Sequence, residues 1–169
     1  MKCTLRPWRQ ADADDLALVL NDKEILDNLR DGLPYPYTPA DAAAFIAAMQ
    51  TADPDSIYAF AITVEDRAIG CLSLSRQSNI FWRTAELGYY LARSWWGHGL
   101  ATSAVRQACD LAFQSTDLLR VFALTFSSNP ASCRVVEKAG FHLEGTLRQS
   151  AVKNGQVQDI KLYAKLRQP

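Results

Sequence analysis

The stretch WWGHGLAT, residues 95–102, sets two glycines and a histidine directly ahead of a run that reads as helix. A helix start carries unpaired N–H donors and the positive end of the helix dipole, so it favours an anion. Gly97 and Gly99 would let an anion approach the backbone closely, because no Cβ intervenes. A dinucleotide fold needs G-x-G-x-x-G/A and an acid ending the next strand. Here Thr102 stands at the third glycine, and the next strand runs into Ser127-Ser128-Asn129. A phosphate loop needs G-K-S/T, which is absent. A pyrophosphate held by successive backbone amides remains, beside the plainer reading of a surface turn shaped by its glycines. Elsewhere, strand alternation in TAELGYYLA puts Glu86, Gly88 and Tyr90 on one face, opposite Leu87, Tyr89 and Leu91. Glu86 there suits a pocket floor, or equally a solvated or ion-paired strand carboxylate. Ser132 follows Asn129 by three residues at a helix start, where its hydroxyl can serve a ligand or only the local backbone. Asn129 fits the N-cap of that helix.

The elements that must position these residues are legible along the chain. Residues 3–7 read as a short strand, and Leu16, Val19 and Leu20 fall at helical spacing after an acidic start. DGLPYPYTP, residues 31–39, is a proline-rich loop that cannot be helix. A helix is expected over 40–50, with Thr38 as cap and Pro39 at its first position. Residues 56–64 and 67–75 read as a hairpin around Glu65-Asp66, and 84–92 as a third strand. Leu100, Ala101, Ala104, Val105, Ala108, Leu111 and Ala112 share one helical face, opposite Thr102, Ser103, Arg106, Gln107 and Asp110. RVFALTF, residues 120–126, is apolar on both faces, as a buried strand would be. The stretch 129–140 carries a cap, a first-turn proline, a late lysine and a terminal glycine. A closing hairpin follows around Asn154-Gly155. The expected class is α/β or α+β, a sheet with helices before and between its strands.

Composition narrows the function classes. A chain of 169 residues suits one domain, 1–169. Lys plus Arg balances Asp plus Glu at 18 each, which gives no sign of a nucleic-acid-binding surface. No apolar run is long enough for a membrane span, and MKCTLRPWRQ lacks the apolar centre of a signal peptide. Cys3, Cys71, Cys109 and Cys133 are scattered, as reduced thiols of a cytoplasmic protein would be. With His98 and His142 as the only histidines, no metal site is expected.

Five segments, in order, carry a family resemblance: LRPWRQADADDL, AELGYYLARSWWGHGLATSAV, NPASCRVVEKAGF, EGTLR and NGQVQDIKLYA. They resemble the GNAT N-acetyltransferases, and within them the branch of ribosomal-protein N-terminal alanine/serine acetyltransferases. The resemblance implies a mixed, mostly antiparallel twisted sheet flanked by helices, with strands 84–91 and 120–126 splayed to hold acetyl-CoA. It implies cofactor contacts from Tyr90, Leu91, Trp96, Gly97, His98, Gly99, Leu100, Ala101 and Asn129. Ser94 departs from the Gln or Arg that the broad family often has three residues before its first glycine. Trp95 and Trp96 read as core anchors of the turn or as ligand contacts.

Acetyl transfer needs a base for the attacking ammonium, a donor for the oxyanion and a hydrogen bond for the leaving sulfur. Glu86 is the candidate base, directly or through water. A backbone N–H near Tyr90 or Leu91, on a strand that the family bulges, is the candidate oxyanion donor. Many acetyltransferases place a tyrosine where this chain has Val136; the ribosomal-protein branch uses a serine matched by Ser132, which becomes the candidate thiolate partner. Some of that branch carry a glutamate where this chain has Ala151. His98 would lie at the wrong end of the cofactor to act as base, and Asp159 is expected in a structural salt bridge ahead of holding a substrate amine. Tyr35 and Tyr37 are expected to wall the acceptor side. The expected activity is direct transfer to a primary amine, such as a protein N-terminus, by a monomer or homodimer. A small amine acceptor (aminoglycoside, polyamine or amino acid) or a non-catalytic acyl-CoA sensor is the alternative.

Overall fold

A computed structural model describes residues 2–168. Seven strands form one sheet in the order β1-β2-β3-β4-β5-β7-β6. The strands are β1 (Thr4–Pro7), β2 (Ile57–Val64), β3 (Arg67–Arg76), β4 (Thr84–Leu91), β5 (Arg120–Phe126), β6 (His142–Lys153) and β7 (Gln156–Leu166). All neighbours are antiparallel except β4 and β5. That parallel pair needs a crossover, supplied by α4 (Leu100–Ser115). The helices α1 (Ala13–Leu20), α2 (Lys23–Leu26) and α3 (Pro39–Thr51) precede β2, and α5 (Pro130–Lys138) joins β5 to β6.

The turn chemistry expected from sequence is present. Glu65 and Asp66 both take positive φ (49° and 65°), as a tight hairpin requires. Asn154 and Gly155 do the same at 50° and 72°. Thr38 accepts from the Asp41 N–H, and Asp41 returns the bond to the Thr38 N–H, so α3 starts on a reciprocal cap. The short helix α2 was not visible as a periodic pattern; one turn is too brief to show one.

Alternation along the strands divides the core in two. Ile62, Leu72, Leu74, Leu87 and Leu91 face α4 and α5, which add Leu100, Val105, Ala108 and Val136. Ala61, Ala68 and Cys71 face the other way, against Trp8, Leu16, Leu20, Tyr37 and Ile46. The sheet is therefore covered on both faces along β2 and β3, while β6 is mostly exposed. One detail of α4 departs from expectation: Leu111 is exposed and Cys109 is fully buried. The buried stripe runs Leu100, Ala104, Val105, Ala108, Cys109, Ala112, so the facing side is rotated from the one read off the largest residues. Among the described residues no helix is long and apolar enough to cross a membrane.

Candidate functional site

The β4–β5 pairing lasts only from Thr84↔Arg120 to Leu87↔Ala123. Beyond it, residues 88–91 and 124–126 have no partner across the gap, while β4 stays fully paired to β3 from Ala85 to Leu91. The expected splay is present; the expected bulge is not, since the β3–β4 register runs without a shift. The gap comes from separation of β4 and β5. Bonds from the Gln77 N–H to the Thr84 carbonyl and from the Ala92 N–H to the Ile69 carbonyl fix the parity of the β3–β4 ladder. The main chains of Glu86, Gly88 and Tyr90 accordingly bond to β3, and those of Leu87, Tyr89 and Leu91 turn toward β5. Tyr89 and Leu91, and not Tyr90, therefore offer free N–H groups to the gap.

Two cavities meet at this gap. The first, about 320 Å³, is lined by Leu91, Trp95, Trp96, Gly97, Gly99 and Leu100 and by residues of α2 and α5. Gly97 and Gly99 hold φ of +79° and +75°, a backbone region costly for other residues, and open space lies where a Cβ would stand. The first helical bond of α4 runs from the Ser103 N–H to the Gly99 carbonyl, 3.0 Å. The amides of Leu100, Ala101 and Thr102 are thus outside the helical ladder. This fits a diphosphate, and Arg134 and Lys138 of α5 bring positive charge to the same cavity. The Trp96 indole N–H donates to the Leu91 carbonyl at 2.9 Å, tying the turn to the end of β4, while Trp95 packs on the main core. Both tryptophans anchor the turn and line the cavity. His98 is exposed and does not line it.

The second cavity, about 1140 Å³, lies on the opposite side of the sheet. Ser73, Ser75, Glu86 and Gly88 form its floor, Leu124 and Thr125 one wall, and residues 30–33 and 150–153 its mouth. Glu86 is 22% exposed and paired with Arg30 of the loop after α2. Lys153 bonds Asp31 at 2.7 Å, and the Asn154 amide donates to Asp27 at 2.8 Å, so the closing hairpin clasps the same loop. Ala151 lines the mouth. Tyr35 and Tyr37 do not: Tyr37 is buried in the second core, its N–H on Asn21 at 2.8 Å, and Tyr35 points to solvent. Asp159 accepts from the Gln149 N–H at 2.7 Å, where Gln149 takes a positive φ of 52°. It braces the irregular stretch of β6 and makes no ion pair among the described residues.

Asn28, Leu29, Tyr89, Tyr90, Asn129 and Ser132 line both cavities. Asn129 caps α5, its Oδ1 accepting from the Ser132 N–H at 3.1 Å. That bond sets Ser132 at the gap, where its Oγ lies 2.7 Å from the Tyr89 hydroxyl. Burial pushes the Tyr89 phenol up to about 12, the bond to Ser132 working against it. Burial likewise raises Tyr90 well above its ordinary range. Tyr89, Arg30, Arg134 and Lys138 were absent from the expected set. A core-facing tyrosine near a strand end was the available signal for Tyr89, because a buried phenol seeks a partner. All four cysteines are buried and free, and burial holds Cys71 and Cys109 up at about 12. A protonated, buried thiol is a poor nucleophile. No cluster of metal-ligating side chains occurs among the described residues.

Known proteins resemble this chain in sequence and fold. The chain is 39% identical over 114 residues to the probable N-acetyltransferase YjcK of Bacillus subtilis (strain 168), covering 66% of this chain and 63% of that one. It is 36% identical over 107 residues to the ribosomal-protein-serine acetyltransferase of Escherichia coli (strain K12), covering 63% and 59%. The matches thus span about six-tenths of these relatives' length. Among solved structures, Mycobacterium smegmatis RimJ in complex with CoA-disulfide superposes with a TM-score of 0.87 at 25% identity, over 97% of this chain and 81% of that one. Residues 2–142 match the acetyltransferase (GNAT) domain. With its splayed strand pair and glycine turn, the chain belongs to the GNAT acetyltransferase family.

Proposed function

We propose that this protein transfers the acetyl group of acetyl-CoA to the N-terminal amine of a peptide chain, directly and without a covalent enzyme intermediate. The observation that carries this reading is the meeting of two cavities through the β4–β5 gap, with Ser132 on one side and Glu86 on the other. Acetyl-CoA would supply an activated acetyl thioester. The amides of Leu100, Ala101 and Thr102 would hold its diphosphate, with Tyr90, Leu91, Trp96 and the backbone of residues 97–99 along the arm. Glu86 takes the proton of the acceptor ammonium, directly or through water, and frees the lone pair for attack. The Leu91 N–H faces the developing oxyanion. As the C–N bond forms and the C–S bond breaks, the Ser132 hydroxyl hydrogen-bonds the departing sulfur.

The acceptor cavity supports a peptide over a polycation. Its two lining carboxylates, Glu86 on the floor and Asp31 at the mouth, are each matched by a base, Arg30 and Lys153. A site for several ammonium groups would carry unmatched acids. Its volume of about 1140 Å³ accommodates several residues of extended chain. An α-amine, with a pKa of about 8, also asks less of a base than a lysine amine at about 10.4. The E. coli relative's name points to the same acceptor class. The test is release of free thiol from acetyl-CoA with a panel of N-terminal peptides, polyamines and amino acids. Peptide-dependent release is expected, with Glu86→Gln lowering kcat by about 10²-fold or more, the scale of general base catalysis, while CoA affinity holds. An unchanged kcat would remove Glu86 from the chemistry, and turnover confined to polyamines would overturn the acceptor.

A further inference from the structure

Ser132 alone is an ambiguous donor. A serine hydroxyl has one proton and rotates freely, and in a helix that proton readily turns back to a nearby backbone carbonyl. Something must hold it outward if it is to serve a sulfur in the gap. Tyr89 stands where such a group is required. It lies two residues past the last β4–β5 pair, on the strand face that carries α5, and it lines both cavities. Its hydroxyl is 2.7 Å from Ser132 Oγ, a contact in which either oxygen can be the donor, and 3.2 Å from the Ser132 carbonyl, which can only accept the phenol's single proton. The first is the short, favourable contact of two hydroxyls.

We propose that Tyr89 is a positioning residue whose phenol donates to Ser132 Oγ and thereby aims the Ser132 O–H at the sulfur of coenzyme A. With one oxygen lone pair occupied from the β4 side, the serine proton is directed into the gap. A donor that is itself receiving a hydrogen bond is also strengthened by polarisation. No proton need leave Tyr89: its phenol is held protonated across the working range of an amine acceptor by burial, so it is a permanent donor. The two hydroxyls of Tyr89 and Ser132 would form a chain that stabilises the departing thiolate. This inference rests on the acetyl-CoA reading above, but not on the identity of the acceptor.

The test needs no acceptor. The affinity of the protein for CoA is compared with that for desulfo-CoA, which lacks the thiol, by calorimetry from pH 7 to pH 9.5. The charged groups around the cofactor cavity, Glu24 of α2 and Arg134 and Lys138 of α5, meet both ligands alike, as do Cys133 beside Tyr89 and Glu86 across the gap. The ratio of the two affinities isolates the thiol. In the wild type the ratio should move toward CoA as pH rises, by about tenfold for each unit by which the site lowers the thiol's pKa. Tyr89→Phe keeps the ring in the core and should cut that gain several-fold, with desulfo-CoA affinity unchanged. Ser132→Ala should abolish the gain, and the double variant should match Ser132→Ala. A Tyr89→Phe protein that titrates like the wild type overturns the proposal. So does one whose bound thiol becomes more acidic, which would show the serine donating to the phenol, and so does a double variant that loses more than Ser132→Ala, or a wild type with no gain. Failure of the functional reading looks different: CoA binds with this titration, yet no amine is acetylated.

Discussion

Asn129 has two claims on its side chain, and the geometry ranks them. Its Oδ1 is committed to the Ser132 N–H, so it caps α5 and fixes the serine in one contact. Asn129→Ala should therefore cost about 1 kcal/mol of stability, the usual value of a cap, read by denaturant unfolding. Acetyl transfer should fall by more than the unfolded fraction explains, because Ser132 is no longer held at the gap. Loss of stability with the full rate retained in the folded fraction would leave the residue a cap alone. The sequence exposed this pair because cap and serine are three residues apart, a purely local relation. Alternation likewise oriented Glu86. It could not show Arg30, which is 56 positions away in an irregular loop, nor the Tyr89–Ser132 contact across 43 positions. Side-chain partners that far apart are set by topology, and no periodic pattern records them.

At the scale of elements, the glycine turn was read for closeness to a ligand, and the structure adds a conformational reason. Gly97 and Gly99 sit at positive φ with open space beside them, so a side chain there meets strain before it meets a neighbour. Gly99→Val should distort the start of α4 and lower CoA affinity by tenfold or more, about 1.4 kcal/mol, by calorimetry. Normal affinity would remove the turn from diphosphate binding. A second junction, unnoticed in the sequence, holds β1 to the turn before α1. Arg6 makes a two-pronged bond to Asp12 at 2.8 Å, their side chains 13% and 7% exposed, and Asp66 of the first hairpin joins them. Burial pushes the Asp12 carboxyl up, but bonds from Arg6 and the Arg9 N–H outweigh it and hold it below the usual range. A carboxyl depressed by folding stabilises above its unfolded pKa, and the gain fades as pH falls through the folded one. Asp12→Ala should cost about 1.5–3 kcal/mol at pH 7, the worth of its charged hydrogen bonds, since Arg6 keeps Asp66 as a partner. The difference from wild type should narrow below about pH 4. A gap constant from pH 7 to pH 3 would exclude the ion pair as its source.

Across the whole molecule, the sheet acts as a partition. α4 and α5 cover one face and bring Ser132; α1 to α3 pack on the other, where the loop after α2 overhangs Glu86; the β4–β5 gap is the opening between them. Every strand was legible from composition and turns, yet their order was not. Local pattern cannot reveal that β4 and β5 run parallel, or that β7 inserts between β5 and β6. That insertion carries the last hairpin to the acceptor mouth, where Lys153 and Asn154 grip Asp31 and Asp27. The gripped loop lays Arg30 on Glu86, the carboxylate that an acceptor ammonium would have to reach under the proposed function. On that reading Arg30 would hold the acceptor's place as a competing cation. Its side chain is 75% exposed, so the pair is worth only about 0.2–1 kcal/mol. Arg30→Ala should lower the KM for a peptide acceptor by up to about fivefold at low salt, with kcat and CoA affinity unchanged. Added salt should lower the wild-type KM toward the variant's, since screening weakens an exposed pair. A KM that rises in Arg30→Ala would mean that the guanidinium binds the acceptor, and the loop would then be part of the binding surface in place of a competitor for it.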